Sequence, residues 1–220
     1  MSAGTVEASG RGSEPVNLVV VTSSGGASMQ NLIDLIALGQ LPARIRGAII
    51  TRPGVGAIDR AVRAEIPHFV IQRKHYSSAD EFSHPLYEVC DEVGADLVCL
   101  AGCLSLVTIP ERYRNRVMNC HPTLLPIFGG RGMYGYPVHR AVLERGCRIA
   151  GCTVHFADES YDTGPIIVQR TCPVLDDDTV ETLALRVHAE EKVAYPEAIR
   201  LFGEGRLHLD GRHVRVLPPG

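Results

Sequence analysis

The segment Asn17–Thr22 is an unbroken apolar, β-branched run. It leads directly into a loop of small residues, Ser23-Ser24-Gly25-Gly26-Ala27-Ser28, and then into a helix-period stretch over Met29–Leu38. Buried strand, glycine turn and helix, in that order, are the opening unit of an α/β domain. The pattern then repeats. Short apolar runs at Gly47–Ile50, His68–Ile71, Leu97–Ala101 and Val117–Asn119 alternate with helical patterns at Ala57–Glu65 and Asp80–Glu92. Strands that are apolar at nearly every position, rather than at every second one, are those covered on both faces. The expected fold class is α/β, an open and mostly parallel twisted sheet with helices on both faces.

Local signals mark where elements begin and end. Ser78-Ala79-Asp80-Glu81 has the form of a capping box at the head of the third helix, and Pro85 is a residue a helix interior resists. Pro110 opens a short helix that leads into the strand ending at Asn119-Cys120-His121. A long loop, His121 to Tyr136, follows with Pro122, Pro126, Gly129, Gly130, Gly132 and Gly135. Loops this long and glycine-rich are usually functional or mobile. A helix Val138–Arg145 closed by Gly146 comes next, then strands Ile149–Phe156 and Ile166–Pro173 around the loop Ala157–Gly164. Asp178-Thr179-Val180-Glu181 caps a long helix reaching toward Phe202, and Asp210-Gly211 joins Arg206–Leu209 to Arg212–Val216 as a hairpin.

With 220 residues, 45% apolar and 21% charged, the chain suits one well-filled domain. Residues 1–15, rich in Gly, Ser and Glu, are expected to form a flexible leader and residues 16–220 a single domain. A net charge of −3 and the lack of any Lys/Arg run argue against a nucleic-acid partner. No run approaches membrane-spanning length and the leader lacks the apolar stretch of a signal peptide, so no membrane partner is expected and the location should be cytoplasmic. The seven cysteines are odd in number, without a CxxC pair, and are expected as reduced thiols. No metal is expected either, since His121, His139 and His155 show no compact ligand spacing.

The residues able to carry chemistry lie at strand ends. In an open α/β sheet ligands bind beyond the carboxyl ends of strands. The loop Ser24–Ser28 precedes a helix whose free N–H groups favour an anion such as phosphate; an ordinary tight turn is the equally good reading of the loop alone. Asn119 and His121, two apart on a strand end, can face one pocket. Asp162 lies in the loop Asp158–Pro165. Acyl transfer to an amine develops negative charge on the carbonyl oxygen and requires a proton to leave nitrogen. An amide and an imidazole fill those needs, and a nearby carboxylate favours the charged form of the ring. Taken singly, each residue also reads as a strand-end hydrogen bonder or a turn residue.

Three motifs together resemble the phosphoribosylglycinamide formyltransferase family, within the formyltetrahydrofolate-dependent enzymes. They are Asn-Cys-His-Pro-Thr-Leu-Leu-Pro at 119–126, Asp-Thr-Gly-Pro-Ile-Ile at 162–167, and Arg186-Val187 with Glu190-Glu191 and Tyr195-Pro196. The resemblance runs from about Asn17 to Leu207. It implies transfer of a formyl group from 10-formyltetrahydrofolate, a co-substrate, to the amine of glycinamide ribonucleotide in purine biosynthesis. By position, Asn119 matches the family's oxyanion-stabilising amide, His121 its general acid/base and Asp162 the carboxylate that supports the histidine. Gly26, Ala27 and Ser28 match the backbone amides that hold the ribonucleotide phosphate, and Glu191 a contact to its ribose. Leu104, Ser105, Leu106 and Val107, with Asn119, match the folate-binding residues, and the Ala157–Asp162 loop the pterin's hydrogen bonders.

The chain also departs from the family pattern. Ser105 stands where an Arg is frequent, and a second Arg that can meet the folate tail is absent near Ala79. Ala27 and Ser28 replace Ser and Asn, a change that backbone recognition tolerates. The segment Gly129–Gly135 is longer than in short members, and Arg131 is expected at its mouth, meeting an anionic ligand group. Small-molecule partners are expected, and a homodimer is compatible with these features. The alternatives are a formyltetrahydrofolate deformylase, a sugar-nucleotide N-formyltransferase and a non-catalytic phosphometabolite-binding module. A leader of fifteen residues is too short for the extra domain that deformylases usually carry, and a methionyl-tRNA formyltransferase would need a further C-terminal domain and a basic surface.

Overall fold

The computed structural model describes residues 14–219, so the expected leader, apart from Glu14 and Pro15, lies outside the described residues. Seven strands form one sheet in the order β3 (His68–Val70), β2 (Ala43–Ile50), β1 (Val16–Thr22), β4 (Leu97–Leu100), β5 (Val117–His121), β6 (Ile149–Phe156), β7 (Ile166–Pro173), and two more, β8 (Leu207–Asp210) and β9 (His213–Val216), form a separate hairpin. The fold is α/β, as the alternating pattern predicts. The chain divides into two compact units, one ending at Met118 and the other beginning at Asn119.

In the first unit, β1 (Val16–Thr22) pairs in parallel with β2 (Ala43–Ile50) and with β4 (Leu97–Leu100), and β3 (His68–Val70) adds in parallel to β2. The helices α1 (Ala27–Ala37), α2 (Gly56–Arg63) and α3 (Ala79–Glu92) lie between these strands in the chain. Leu18, Val19, Val20 and Val21 are all fully buried. Successive side chains of a strand point to opposite faces, so β1 is covered on both. Each such side chain stabilises the fold by about 1.5–3 kcal/mol. β2 begins at Ala43, earlier than its apolar run suggests, because its first half carries Arg44 and Arg46 with exposed side chains. The winding direction reverses between β1 and β4, the kind of switch point beyond which ligands bind in such sheets. The loops after these strands, 23–26 and 101–107, therefore flank it.

Ser78 caps α3 by accepting from Glu81 N at 3.1 Å, but the Glu81 carboxylate accepts from Ser77 N and Oγ, one residue earlier than a standard box. Pro85 lies inside α3, where it costs about 3 kcal/mol. Burial of Phe82, Leu86 and Tyr87 on the same helix, at about 1.5–3 kcal/mol each, outweighs that.

β5 (Val117–His121) runs across the boundary and ends two residues later than its apolar run. The second unit continues with α4 (Tyr136–Glu144), β6 (Ile149–Phe156), β7 (Ile166–Pro173), α5 (Val180–Gly203), β8 (Leu207–Asp210) and β9 (His213–Val216). β6 and β7 are antiparallel, from Ile149 opposite Pro173 to His155 opposite Ile166. Their connection holds no crossover helix, so the chain can only turn back on itself. α5 starts with a capping box in which Thr179 and Thr182 exchange hydrogen bonds, Thr182 taking the place of the expected acidic partner. Among the described residues no helix is long and apolar enough to cross a membrane.

Candidate active site

The candidate site of the second unit lies at the end of β5. His121 is buried, and the turn that follows it is pinned by Thr153 of β6. The Thr153 hydroxyl donates to Thr123 O at 2.7 Å and accepts from Leu125 N at 3.0 Å, while Gln169 Nε2 donates to Leu125 O at 3.0 Å. Cys120, between Asn119 and His121, is hydrogen-bonded to Cys152; that bond and burial push its thiol well above the usual range. It is therefore a poor nucleophile.

Asp162 enters from the β6–β7 loop with its own backbone in the left-handed region, φ 58°. Gly164 fixes the end of that loop: a Cβ there would lie 1.7 Å from Phe156 O, so only glycine lets the loop press onto β6. One carboxylate oxygen of Asp162 lies 3.3 Å from His121 Nδ1, 3.3 Å from Asn119 Nδ2 and 3.7 Å from His155 Nε2. The other accepts from Gly130 N at 2.9 Å. Burial alone would raise the pKa of Asp162. Its hydrogen bond to His121, the charge of that ring and the Gly130 N–H outweigh burial and hold the carboxyl well below the usual carboxylate range.

The hydrogen-bond inventory assigns the neighbours. His155 Nδ1 faces Phe156 O at 2.8 Å; a carbonyl only accepts, so Nδ1 carries the hydrogen. In the neutral ring Nε2 then accepts from Asn119 Nδ2 at 3.1 Å. Both amide hydrogens of Asn119 are thus directed inward, one to His155 and one to Asp162. His121 Nε2 donates to Phe128 O at 2.9 Å, so both of its ring nitrogens face oxygen atoms. The three residues expected from sequence come together, and His155, the Phe128 carbonyl and the Gly130 amide join them. The spacing of His155, inside an apolar run, gives no sign of this. Arg131, expected at the mouth of the loop, is exposed beside Gly130.

In the first unit, the loop before α1 ends at Gly26, φ 76° and ψ 31°, with no side chain capping the helix. The first-turn N–H groups, Ala27 and Ser28 among them, are thereby left to an outside acceptor. A Cβ at Gly26 would come within 3.0 Å of Ala57 Cβ. Arg60, on α2, donates to Gly25 O at 2.8 Å and to Gln30 Oε1 at 2.9 Å. It holds the loop carbonyl back against α2. The neighbouring loop is tied in by Ser23: its hydroxyl bonds Thr51 at 2.7 Å and accepts from Leu104 N at 3.1 Å. Beyond that anchor Leu104, Ser105 and Leu106 are half-buried and Val107 is buried. Glu191, on α5 of the second unit, has its carboxylate 2.8 Å from His188 Nδ1. Among the described residues no group of three or more His, Cys, Asp or Glu is placed to hold a metal ion.

An ionised carboxylate holding an amide and an imidazole at a strand end is a constellation suited to acyl transfer, and the family comparison narrows the class. A family model for formyl transferases matches residues 16–199. The chain belongs to the formyl transferase family, and within it to the phosphoribosylglycinamide formyltransferases. It is 35% identical over 206 residues to the chloroplastic phosphoribosylglycinamide formyltransferase of Arabidopsis thaliana, covering 91% of this chain and 70% of that protein. Its structure is similar to that of glycinamide ribonucleotide transformylase 1 from Symbiobacterium toebii, with TM-score 0.86 and 42% identity over 93% of this chain and 95% of that one. It is also 37% identical over 196 residues to the trifunctional purine biosynthetic protein adenosine-3 of Gallus gallus, 88% of this chain but only 19% of that protein.

Proposed function

We propose that this chain transfers the formyl group of 10-formyltetrahydrofolate to the amine of glycinamide ribonucleotide, a step of purine biosynthesis. The observation that carries this reading is the Asp162 carboxylate oxygen 3.3 Å from both Asn119 Nδ2 and His121 Nδ1. In the reaction the amine nitrogen bonds to the formyl carbon, the bond from that carbon to the folate nitrogen breaks, and a proton moves from the amine to the departing nitrogen. Negative charge develops on the formyl oxygen. The longer Asn119 hydrogen bond, to Asp162, is the one the formyl oxygen displaces, so that this N–H stabilises the oxyanion. His121 handles the proton, and Asp162 balances the charge the ring acquires.

The uncapped N–H groups at Gly26, Ala27 and Ser28 fit the ribonucleotide phosphate, and Glu191 fits its ribose hydroxyls. Leu104, Leu106 and Val107 offer apolar surface to the pterin, with Ser105 in place of a cation for the anionic tail. Seven free thiols accord with a cytoplasmic, reducing setting. Residues 16–220 act in this reading as one formyltransferase domain. The test is release of tetrahydrofolate by the purified chain with and without glycinamide ribonucleotide. Release that requires the ribonucleotide is expected; equal release without it would overturn the assignment in favour of hydrolysis.

A further inference from the structure

The β8-β9 hairpin lies beyond residue 199, where the family match ends. Its strand β9 packs against the edge strand β7. Gly211 makes the turn with φ 61°, and Arg215 pairs with Asp210 inside the hairpin. Arg212 behaves differently. Its Nη2 donates to the carbonyl of Thr163, the residue next to Asp162.

What lies around that hydrogen bond gives it weight. A cavity of about 570 Å³ is lined by Leu125 and Pro126, by Gly129 and Gly130, by residues 161–166 and by residues 212–214. Protein interiors are normally close-packed, so a loop bordering such a space lacks side-chain packing on that side. The loop has internal ties, such as Thr163 Oγ1 to Asp158 Oδ1 at 2.6 Å, and Gly130 N meets the Asp162 carboxylate. The loop's end is fixed to β6 by Phe156 N donating to Pro165 O at 2.9 Å, and Arg212 adds a tie at the Thr163 carbonyl, two residues earlier. A non-glycine residue at φ 58° holds that conformation only where its surroundings impose it.

We infer that Arg212 is a positioning residue: by latching the Thr163 carbonyl across this cavity, the hairpin sets where the Asp162 carboxylate meets His121 and Asn119. The hydrogen bond is charge-assisted, which suits a tie that acts without surrounding packing. The inference rests on the proposed formyl transfer for its kinetic consequence, and on geometry alone for its effect on Asp162.

The test compares Arg212→Met, which keeps the apolar stem and loses the donor, with Arg212→Lys, which keeps a cationic donor, in the full chain. Arg212→Met should lower kcat about tenfold, the scale of a sub-ångström to ångström misplacement, with KM for both substrates within about twofold. Arg212→Lys should recover most of kcat. Independently of turnover, the carboxyl ¹³C resonance of Asp162 should titrate at higher pH in Arg212→Met than in the wild type and return toward it in Arg212→Lys. Unaltered titration of Asp162 in Arg212→Met overturns the inference, as does a lysine variant no better than the methionine one. Absence of formyl transfer in the wild type would instead refute the proposed function and leave the titration as the deciding measurement.

Discussion

His121 Nε2 donates to the Phe128 carbonyl at 2.9 Å, and Phe128 accepts that bond with its own backbone in the left-handed region, φ 56°. A bulky residue there is strained by about 1–2 kcal/mol relative to its ordinary conformation. The loop after β5 therefore holds the histidine at a cost in its own backbone.

The comparison of Phe128→Gly with Phe128→Ala isolates that strain, because both remove the ring and only alanine keeps a Cβ. The glycine variant should be the more stable by about 1 kcal/mol in denaturant unfolding, the reverse of the usual preference for alanine. Greater stability of the alanine variant would show that Phe128 is unstrained.

Arg60 holds the carbonyl of Gly25 and the side chain of Gln30. Replacing it with Met should loosen the loop whose amides are proposed to bind phosphate. Steady-state kinetics should then show KM for glycinamide ribonucleotide rising by about fivefold to tenfold, with kcat unchanged, as expected for loss of binding common to ground and transition states. A fall in kcat at constant KM would contradict this role.

The depressed pKa of Asp162 fixes the sign of a stability effect. A carboxyl whose folded-state pKa lies below its unfolded value of about 3.9 contributes stability that is present above that pH and is lost as pH falls through the folded value. Asp162→Asn should therefore be less stable than the wild type near neutrality, and the gap should narrow from about pH 4 downward. Chemical denaturation at a series of pH values measures it. A gap that stays constant in acid would remove the electrostatic account.

The particular residues show how far sequence carries. β6 and β7 were legible to their last residues because Ile149–Phe156 and Ile166–Pro173 are dense in β-branched side chains bounded by turn signals. The apolar runs alone do not state that the pair is antiparallel; the short loop between them, with no room for a crossover helix, does. The start of β2 was obscured by Arg44 and Arg46, whose exposed side chains break the pattern without breaking the strand. Asn119 and His121 were readable as a pair through the period of a strand, and Asp162 only through its motif. His155 was not, because a histidine inside an apolar strand reads as a core residue until the fold sets it 3.1 Å from Asn119. Arg60 was missed for a related reason, since its partner is a backbone carbonyl that carries no sequence signature.

In the proposed reaction His121, held between the Asp162 carboxylate and the Phe128 carbonyl, moves the proton of the formyl transfer. The most direct measurement follows label from the formyl carbon of 10-formyltetrahydrofolate into glycinamide ribonucleotide, with wild type and His121→Ala at saturating substrates. The account predicts label transfer by the wild type and a rate at least about a hundredfold lower in the folded variant. A His121→Ala protein that transfers label at the wild-type rate would contradict it.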